Sequence, residues 1–318
     1  MTRKEKIRAR LVEAMQMASD KSLHLILHTS TKGVRKQKNI RYDDTRGRSL
    51  LDVYDTPESR DRLRPVFLYF HGGGFTGGSK EPRLYYCAKW AKEGYAAVNV
   101  DYICGIDHPF PSFLQQAFRA IEWVFDHAHI HQFDTTRIVL AGESAGAYIA
   151  AFIAAISRHH ELYDKLNIRF SHRREFNPQA CVLISGIYDL EGILSLDFPN
   201  IEDCLTGFTG QGREHSLAFV KSSDAKAASP LHYVDERFPP TAVILSDRDP
   251  LRPCSEALCE KLALCGVVRM DHLCTGKIAG VHAGGLCTHT HHGRLALKRA
   301  QAFAASQLNG GLYMENTE

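Results

Sequence analysis

Residues 137–153 read Arg137-Ile-Val-Leu-Ala-Gly142-Glu143-Ser144-Ala145-Gly146-Ala-Tyr-Ile-Ala-Ala-Phe-Ile153. The first five are a short apolar run rich in β-branched residues, the pattern of a strand buried on both faces. The run after Ser144 is built from alanine and large apolar residues, a helix-forming composition. A serine between the two sits on a tight strand-to-helix turn, held in a strained backbone conformation with its hydroxyl above the sheet. Side chains two positions before and two after would collide as strand and helix close, and glycine at 142 and 146 removes that collision. The helix N-terminus beneath the serine favours developing negative charge. Ser144 is therefore read as a nucleophile.

Outward from this turn, apolar runs alternate with longer helical patterns. Predicted strands cover Leu50–Tyr54, Pro65–Phe70, Tyr95–Asp101, Arg137–Ala141, Ala180–Ser185, Thr241–Ser246 and Val267–Leu273. Predicted helices cover Arg83–Glu93, Ser112–Ala128, Ala145–Arg158, Pro253–Leu264 and Arg294–Gln307. This alternation predicts an α/β fold, with a mostly parallel central sheet flanked by helices on both faces. Two stretches break it, about residues 1–48 and 188–240. Ligands bind such sheets at the carboxyl ends of the strands, so segments inserted there are expected to form a small helical cap on a single domain spanning 1–318.

Composition narrows the partners. The 318-residue chain carries 39 basic and 36 acidic residues, a net charge of only +3, which gives no electrostatic case for nucleic acid. No apolar run is long enough for stable membrane insertion, and no signal peptide is visible. Nine cysteines, an odd number, fit free thiols in a reducing cytoplasm. Arg3, Lys4, Lys6, Arg8 and Arg10 form a basic cluster with Ile7, Leu11 and Met15 at helical spacing. It reads as a solvated helix face over an apolar stripe. A monomer and a homodimer both fit.

The strand Pro65–Phe70 runs into His71-Gly72-Gly73-Gly74-Phe75. Successive glycines leave amide N–H groups unshielded, as the anion of a tetrahedral acyl-transfer intermediate requires. The N–H groups of Gly72, Gly73 and Ala145 are assigned to that oxyanion hole. His71 is read as an anchor that fixes the loop's shape. No Lys-Ser/Thr follows at phosphate-loop spacing, so nucleotide binding is disfavoured.

On a chain with this turn, the acid and the base are expected in that order after the serine. Asp247 and Asp249 both lie just past the end of a predicted strand. His282, His289, His291 and His292 all follow the last one. The residues alone choose neither the acid nor the base. His272, Cys274 and Cys287 join these histidines in a region that invites a metal. Without a C-x₂-C pair or an H-E-x-x-H helix no metal is expected, and no cofactor.

Taken together, His71-Gly-Gly-Gly-Phe75 with Gly78-Ser79, Val100-Asp-Tyr102, Pro109-Phe-Pro111, Gly142-Glu-Ser-Ala-Gly146, Ser229-Pro-Leu231, Asp249-Pro-Leu251 and Gly280-Val-His282 carry a resemblance. In this order they resemble the hormone-sensitive-lipase-like carboxylesterases of the α/β-hydrolase superfamily, from about residue 51 to 304. The resemblance implies Ser144, Asp249 and His282 as a catalytic triad, with Asp249 chosen because it occupies the family's Asp-Pro-Leu. It implies cofactor-free hydrolysis of a small-molecule carboxylic ester with a short or medium acyl group. Ile103 stands where the family often has arginine, and Ala283-Gly284 where it often has Gly-Phe.

Two other functions stay open at this point. Leu51-Asp-Val-Tyr54 is shared with the kynurenine-formamidase-like hydrolases, which implies a formamidase or arylamidase using the same triad. The plant gibberellin receptors resemble these esterases too, which implies a non-catalytic small-molecule receptor. Phe75, Tyr102, Tyr188 and Phe208 are candidate pocket residues, each equally readable as core.

Overall fold

The computed structural model describes residues 1–44, 49–57 and 62–311. Eight strands form one sheet: β1 (Arg35–Arg41), β2 (Leu50–Asp55), β3 (Arg64–Phe70), β4 (Ala96–Val100), β5 (Phe133–Glu143), β6 (Ala180–Ile184), β7 (Thr241–Ser246) and β8 (Arg269–Cys274). Their order is β1-β2-β4-β3-β5-β6-β7-β8. The pairs β1–β2 and β2–β4 are antiparallel, and the other five are parallel. The expected mostly parallel sheet is present. All seven predicted strands are there, within a few residues at their ends.

Eleven α-helices accompany it among the described residues: α1 (Arg3–Ile26), α2 (Leu84–Lys92), α3 (Ser112–Asp126), α4 (Ala128–His131), α5 (Ala145–Ile156), α6 (Glu161–Lys165), α7 (Ile201–Thr209), α8 (Arg213–Phe219), α9 (Ser223–Ala227), α10 (Arg252–Leu264) and α11 (His291–Leu308). The period-2 pleat divides the core in two. Val66, Leu68 and Phe70 of β3 face the layer of α3, α5 and α10, among Phe113, Phe152 and Leu258. Phe67 and Tyr69 face the layer of α2 and α11, among Trp90 and Phe303. Phe67 stacks on Trp90 with ring centroids 4.0 Å apart. Burial of each such side chain stabilises by about 1.5–3 kcal/mol.

The two irregular stretches need separate accounts. Residues 188–240 are helical, holding α7, α8 and α9. Of the expected N-terminal cap, α1 is a helix, opened by a capping box between Thr2 and Glu5. Residues 35–41, however, are the edge strand β1 and not cap, and residues 45–48 lie outside the described residues. Arg-Lys-Gln-Lys-Asn-Ile-Arg has little apolar character because an edge strand is solvated. The stripe on α1 also departs from expectation: Ile7, Leu11 and Met15 are 53%, 60% and 67% exposed. No helix among the described residues is long and apolar enough to cross a membrane.

Register aligns the strand ends that matter. Phe70 pairs with Gly142 and with Val100, Glu143 with Ile184, and Ile184 with Ile244. The residues after β3, β5, β6 and β7 therefore emerge at one edge of the sheet.

Candidate active site

Ser144 follows β5 directly and opens α5, with φ 54° and ψ −121°. The turn works only with glycine on either side of it. A Cβ on Gly142 would lie 2.4 Å from the Gly146 carbonyl, and one on Gly146 only 2.1 Å from the Phe70 carbonyl oxygen. The Ser144 N–H donates to the Ile184 carbonyl at 2.9 Å, tying the turn to the end of β6. Strain gathers around it: Phe75, Ser185 and Ala283 also hold positive φ, at 59°, 49° and 56°.

His282 and Asp249 come together. His282 Nδ1 lies 3.0 Å from Asp249 Oδ1. A carboxylate oxygen only accepts, so Nδ1 carries the proton and donates, leaving the Nε2 lone pair to serve as a base. The same Oδ1 accepts the Leu251 N–H at 2.9 Å, and the Asp249 side chain is fully buried. Burial by itself would raise the Asp249 pKa. The His282 hydrogen bond and charge, the Ser185 hydroxyl and the Leu251 N–H together outweigh it and hold the carboxyl below its ordinary range. Ser185 Oγ also accepts the Ala283 N–H at 3.2 Å, so the histidine loop is fastened to the same end of β6 as Ser144. Phe198 from the 188–240 segment packs edge-on against the His282 ring at 5.1 Å.

The alternatives left open by the residues are elsewhere. Asp247 lies against Gly280, whose added Cβ would sit 2.0 Å from its Oδ1. His292 Nε2 is 2.9 Å from Thr275 Oγ1, the His289 carbonyl accepts from Arg294, and His291 begins α11. His272 is buried on β8 beside Arg299, and its pKa is lowered to about 4 by burial, with the Arg299 charge adding to it. The cysteines and histidines of residues 272–292 do not gather into a ligand set. Among the described residues the one group of three that does is Asp189, Glu191 and His232, with Asp189 half-buried and the other two exposed.

His71 is buried, as an anchor would be. Its Nδ1 donates to the Gly72 carbonyl at 2.8 Å, its Nε2 lies 3.2 Å from Asp101 Oδ1, and its ring stacks on Tyr102 at 4.3 Å. The neighbouring Gly72 corrects the sequence reading. Its N–H donates to Glu143 Oε1 at 2.6 Å in a buried contact, so it is already spent and does not face an anion. Among the described residues no acceptor takes the N–H of Gly73, Gly74 or Ala145. The amides left unbonded thus begin one glycine further along the loop than Gly72.

Glu143 was not anticipated from the sequence, nor were the residues behind it. Its carboxylate also accepts from Tyr69 Oη at 2.6 Å and from Arg83 Nε at 2.7 Å. Arg83 reaches Asp20 of α1 at 2.7 Å, and Asp20 accepts from Ser79 Oγ at 2.9 Å. Burial alone would lower the Arg83 pKa; the Glu143 and Asp20 carboxylates more than reverse this and raise it. A charged residue closing an apolar strand was the available signal. Its meaning needed the partner.

The four candidate pocket residues prove to be core. Phe75 packs against Phe208 and Tyr148, each at 5.1 Å, Tyr102 covers His71, and Tyr188 is fully buried. Helix α7 packs against the glycine loop: a Cβ on Gly74 would lie 2.8 Å from Cys204 Sγ of α7. Ser144 is left only 6% exposed.

Known proteins resemble this chain in sequence and in fold. The BD-FAE family model matches residues 51–262, from β2 into α10. Esterase LipI of Mycobacterium tuberculosis is 40% identical over 108 residues, 33% of this chain and 34% of LipI. Human hormone-sensitive lipase is 32% identical over 109 residues, 34% of this chain and 10% of the lipase. The chain thus spans only a minor part of these relatives. Esterase B of Lactobacillus rhamnosis has a similar fold, with a TM-score of 0.80 over 96% of this chain and 97% of that one at 19% identity. With the sheet order, the strained serine turn and the family match in agreement, the chain belongs to the BD-FAE family and has the α/β-hydrolase fold.

Proposed function

We propose that this chain is a serine carboxylesterase that hydrolyses short- to medium-chain carboxylic esters through an acyl-enzyme at Ser144. The observation that carries the reading is the convergence at one sheet edge of three things. They are a serine on a positive-φ turn, a His282–Asp249 pair with Nδ1 committed to the carboxylate, and loop amides with no other acceptor.

In this reading Ser144 Oγ attacks the ester carbonyl carbon while His282 Nε2 takes the hydroxyl proton. Asp249 holds the imidazole in the required tautomer and stabilises the imidazolium. The carbonyl oxygen becomes an anion met by the amides of Gly73, Gly74 and Ala145, at the positive end of α5. Collapse of the intermediate breaks the ester C–O bond, and His282 returns the proton to the leaving alcohol. Water, deprotonated by His282, then releases the acid and restores Ser144. All these groups come from one chain, so the reading asks for no cofactor and no second subunit. A cytoplasmic location is part of it, supported by nine free cysteines, seven of them buried.

The test is labelling of the purified protein with a fluorophosphonate probe, with the modified residue mapped by mass spectrometry. Modification at Ser144, with loss of both labelling and ester turnover in Ser144→Ala, is expected. Full activity in that variant would overturn the assignment. Parallel turnover of a short-chain ester and an N-formyl aromatic amine separates an esterase from a formamidase.

A further inference from the structure

We propose that the outward face of α1 docks the protein onto an anionic phospholipid surface. Helical periodicity puts Ile7, Leu11, Met15, Ala18, Ser22 and Leu25 on one ridge. All six are exposed, and Leu25 is 78% exposed. An amphipathic helix in a globular protein normally turns such a stripe inward. Here Asp20 is the helix's buried residue, and the stripe faces solvent.

The charges on α1 are sorted in the same direction. Its acids are turned to the protein and occupied: Glu5 accepts the Arg213 N–H at 3.1 Å, Glu13 pairs with Arg10 at 2.8 Å, and Asp20 pairs with Arg83 at 2.7 Å. Its cations, Arg3, Lys4, Lys6, Arg8, Arg10 and Lys21, are all exposed. Arg3, Lys4, Lys6 and Lys21 have no acid partner among the described residues. An apolar ridge with a purely cationic flank fits a helix lying in the plane of an anionic lipid surface, apolar side chains in the acyl boundary and lysines among the headgroups. A second copy of the chain fits it poorly, because pairing two such ridges brings like charges together.

The helix is also anchored so as to serve as a foot. Arg8 bonds Asp203 of α7 through two nitrogens, at 2.8 and 2.9 Å, and Glu5 holds the start of α8. Docking through α1 therefore sets the cap, and not the sheet, against the lipid. This inference does not rest on the proposed chemistry, and its readout is binding alone.

The test is co-sedimentation of the full chain with vesicles of phosphatidylcholine alone and of phosphatidylcholine mixed with phosphatidylglycerol. Binding is expected on the mixed vesicles only. It should fall about tenfold or more in Leu11→Glu/Met15→Glu and, separately, in Lys4→Glu/Lys6→Glu. It should also be released by salt at about 1 M, where the Debye length is only about 3 Å. Circular dichroism checks that each variant remains folded. Equal binding to both vesicle types, or binding indifferent to both pairs of substitutions, overturns the proposal. So does a concentration-dependent dimer in sedimentation velocity that Leu11→Glu abolishes without any vesicle binding; that result would make the face a contact between copies.

Discussion

The carboxylate of Glu143 accepts the N–H of Gly72 at 2.6 Å, so the residue before Ser144 holds the first glycine of the His71–Phe75 loop. The two are far apart in the chain, but register sets β3 beside β5 with Phe70 opposite Gly142. Arg83 then pairs with Glu143, and Asp20 holds Arg83 in place. The loop's shape thus depends on a buried row of charges that ends in α1.

Glu143→Gln should uncouple this row. The amide can still accept the Gly72 N–H, but Arg83 loses one of its two carboxylates in a buried site. A loss of about 3 kcal/mol in urea unfolding is expected, in the range for breaking a buried ion pair. Turnover should fall with little change in KM, since the loop meets the anion and not the ground-state ester. A fall confined to KM would count against a positioning role.

In the proposed oxyanion hole Gly73 is the sensitive position. It holds φ 146°, and an added Cβ would lie 2.0 Å from the Gly77 carbonyl oxygen, so Gly73→Ala must move the loop. Displacing the amide should lower kcat by about 10²–10³, the usual cost of one oxyanion donor. Phosphonate labelling rates give an independent measure of the same loss.

Asp249 and Asp247 are separated by one residue and by their expected effects. Asp249→Asn presents an amide to His282 Nδ1 and permits the wrong tautomer, so kcat should drop by about 10⁴. Asp247→Asn, which leaves the His282 contact intact, should change kcat by less than about threefold, as for a residue outside the reacting unit. Reversal of the two would reassign the acid.

His272 should make stability depend on pH. Its folded pKa, about 4, lies below the ordinary 6.5 because burial and Arg299 oppose the cation. Above 6.5 neither the folded nor the unfolded chain is protonated there, and the residue contributes nothing. As pH falls from 6.5 towards 4, the unfolded chain takes up the proton first, and the folded state loses up to about 2–3 kcal/mol relative to it. His272→Gln should remove that component, so the gap between variant and wild type widens over this window in unfolding curves. A gap that stays constant with pH would contradict the assignment.

Much of the fold was legible because the information is local. Continuous apolar runs marked all the buried strands, and glycine at 142 and 146 announced a turn that only a close strand–helix crossing requires. β1 escaped because an edge strand is specified by its neighbour's hydrogen bonds and not by its own hydrophobicity. Periodicity on α1 identified a helix, yet period alone does not say which face turns inward. The polar contacts of Asp20 with Arg83, Arg8 with Asp203 and Glu5 with Arg213 go with the orientation found.

The serine turn and the glycine-rich loop were determined by sequence, since each is a local device whose residue types are demanded by backbone geometry. Which carboxylate meets which imidazole, and which amides remain unbonded, were decided only by the tertiary structure. Those outcomes depend on direction: Asp249 rather than Asp247 points at His282, and Gly72 rather than Gly73 points at Glu143. A hydrogen bond between distant residues is made or lost over less than an ångström, and only the packed sheet sets distances that finely.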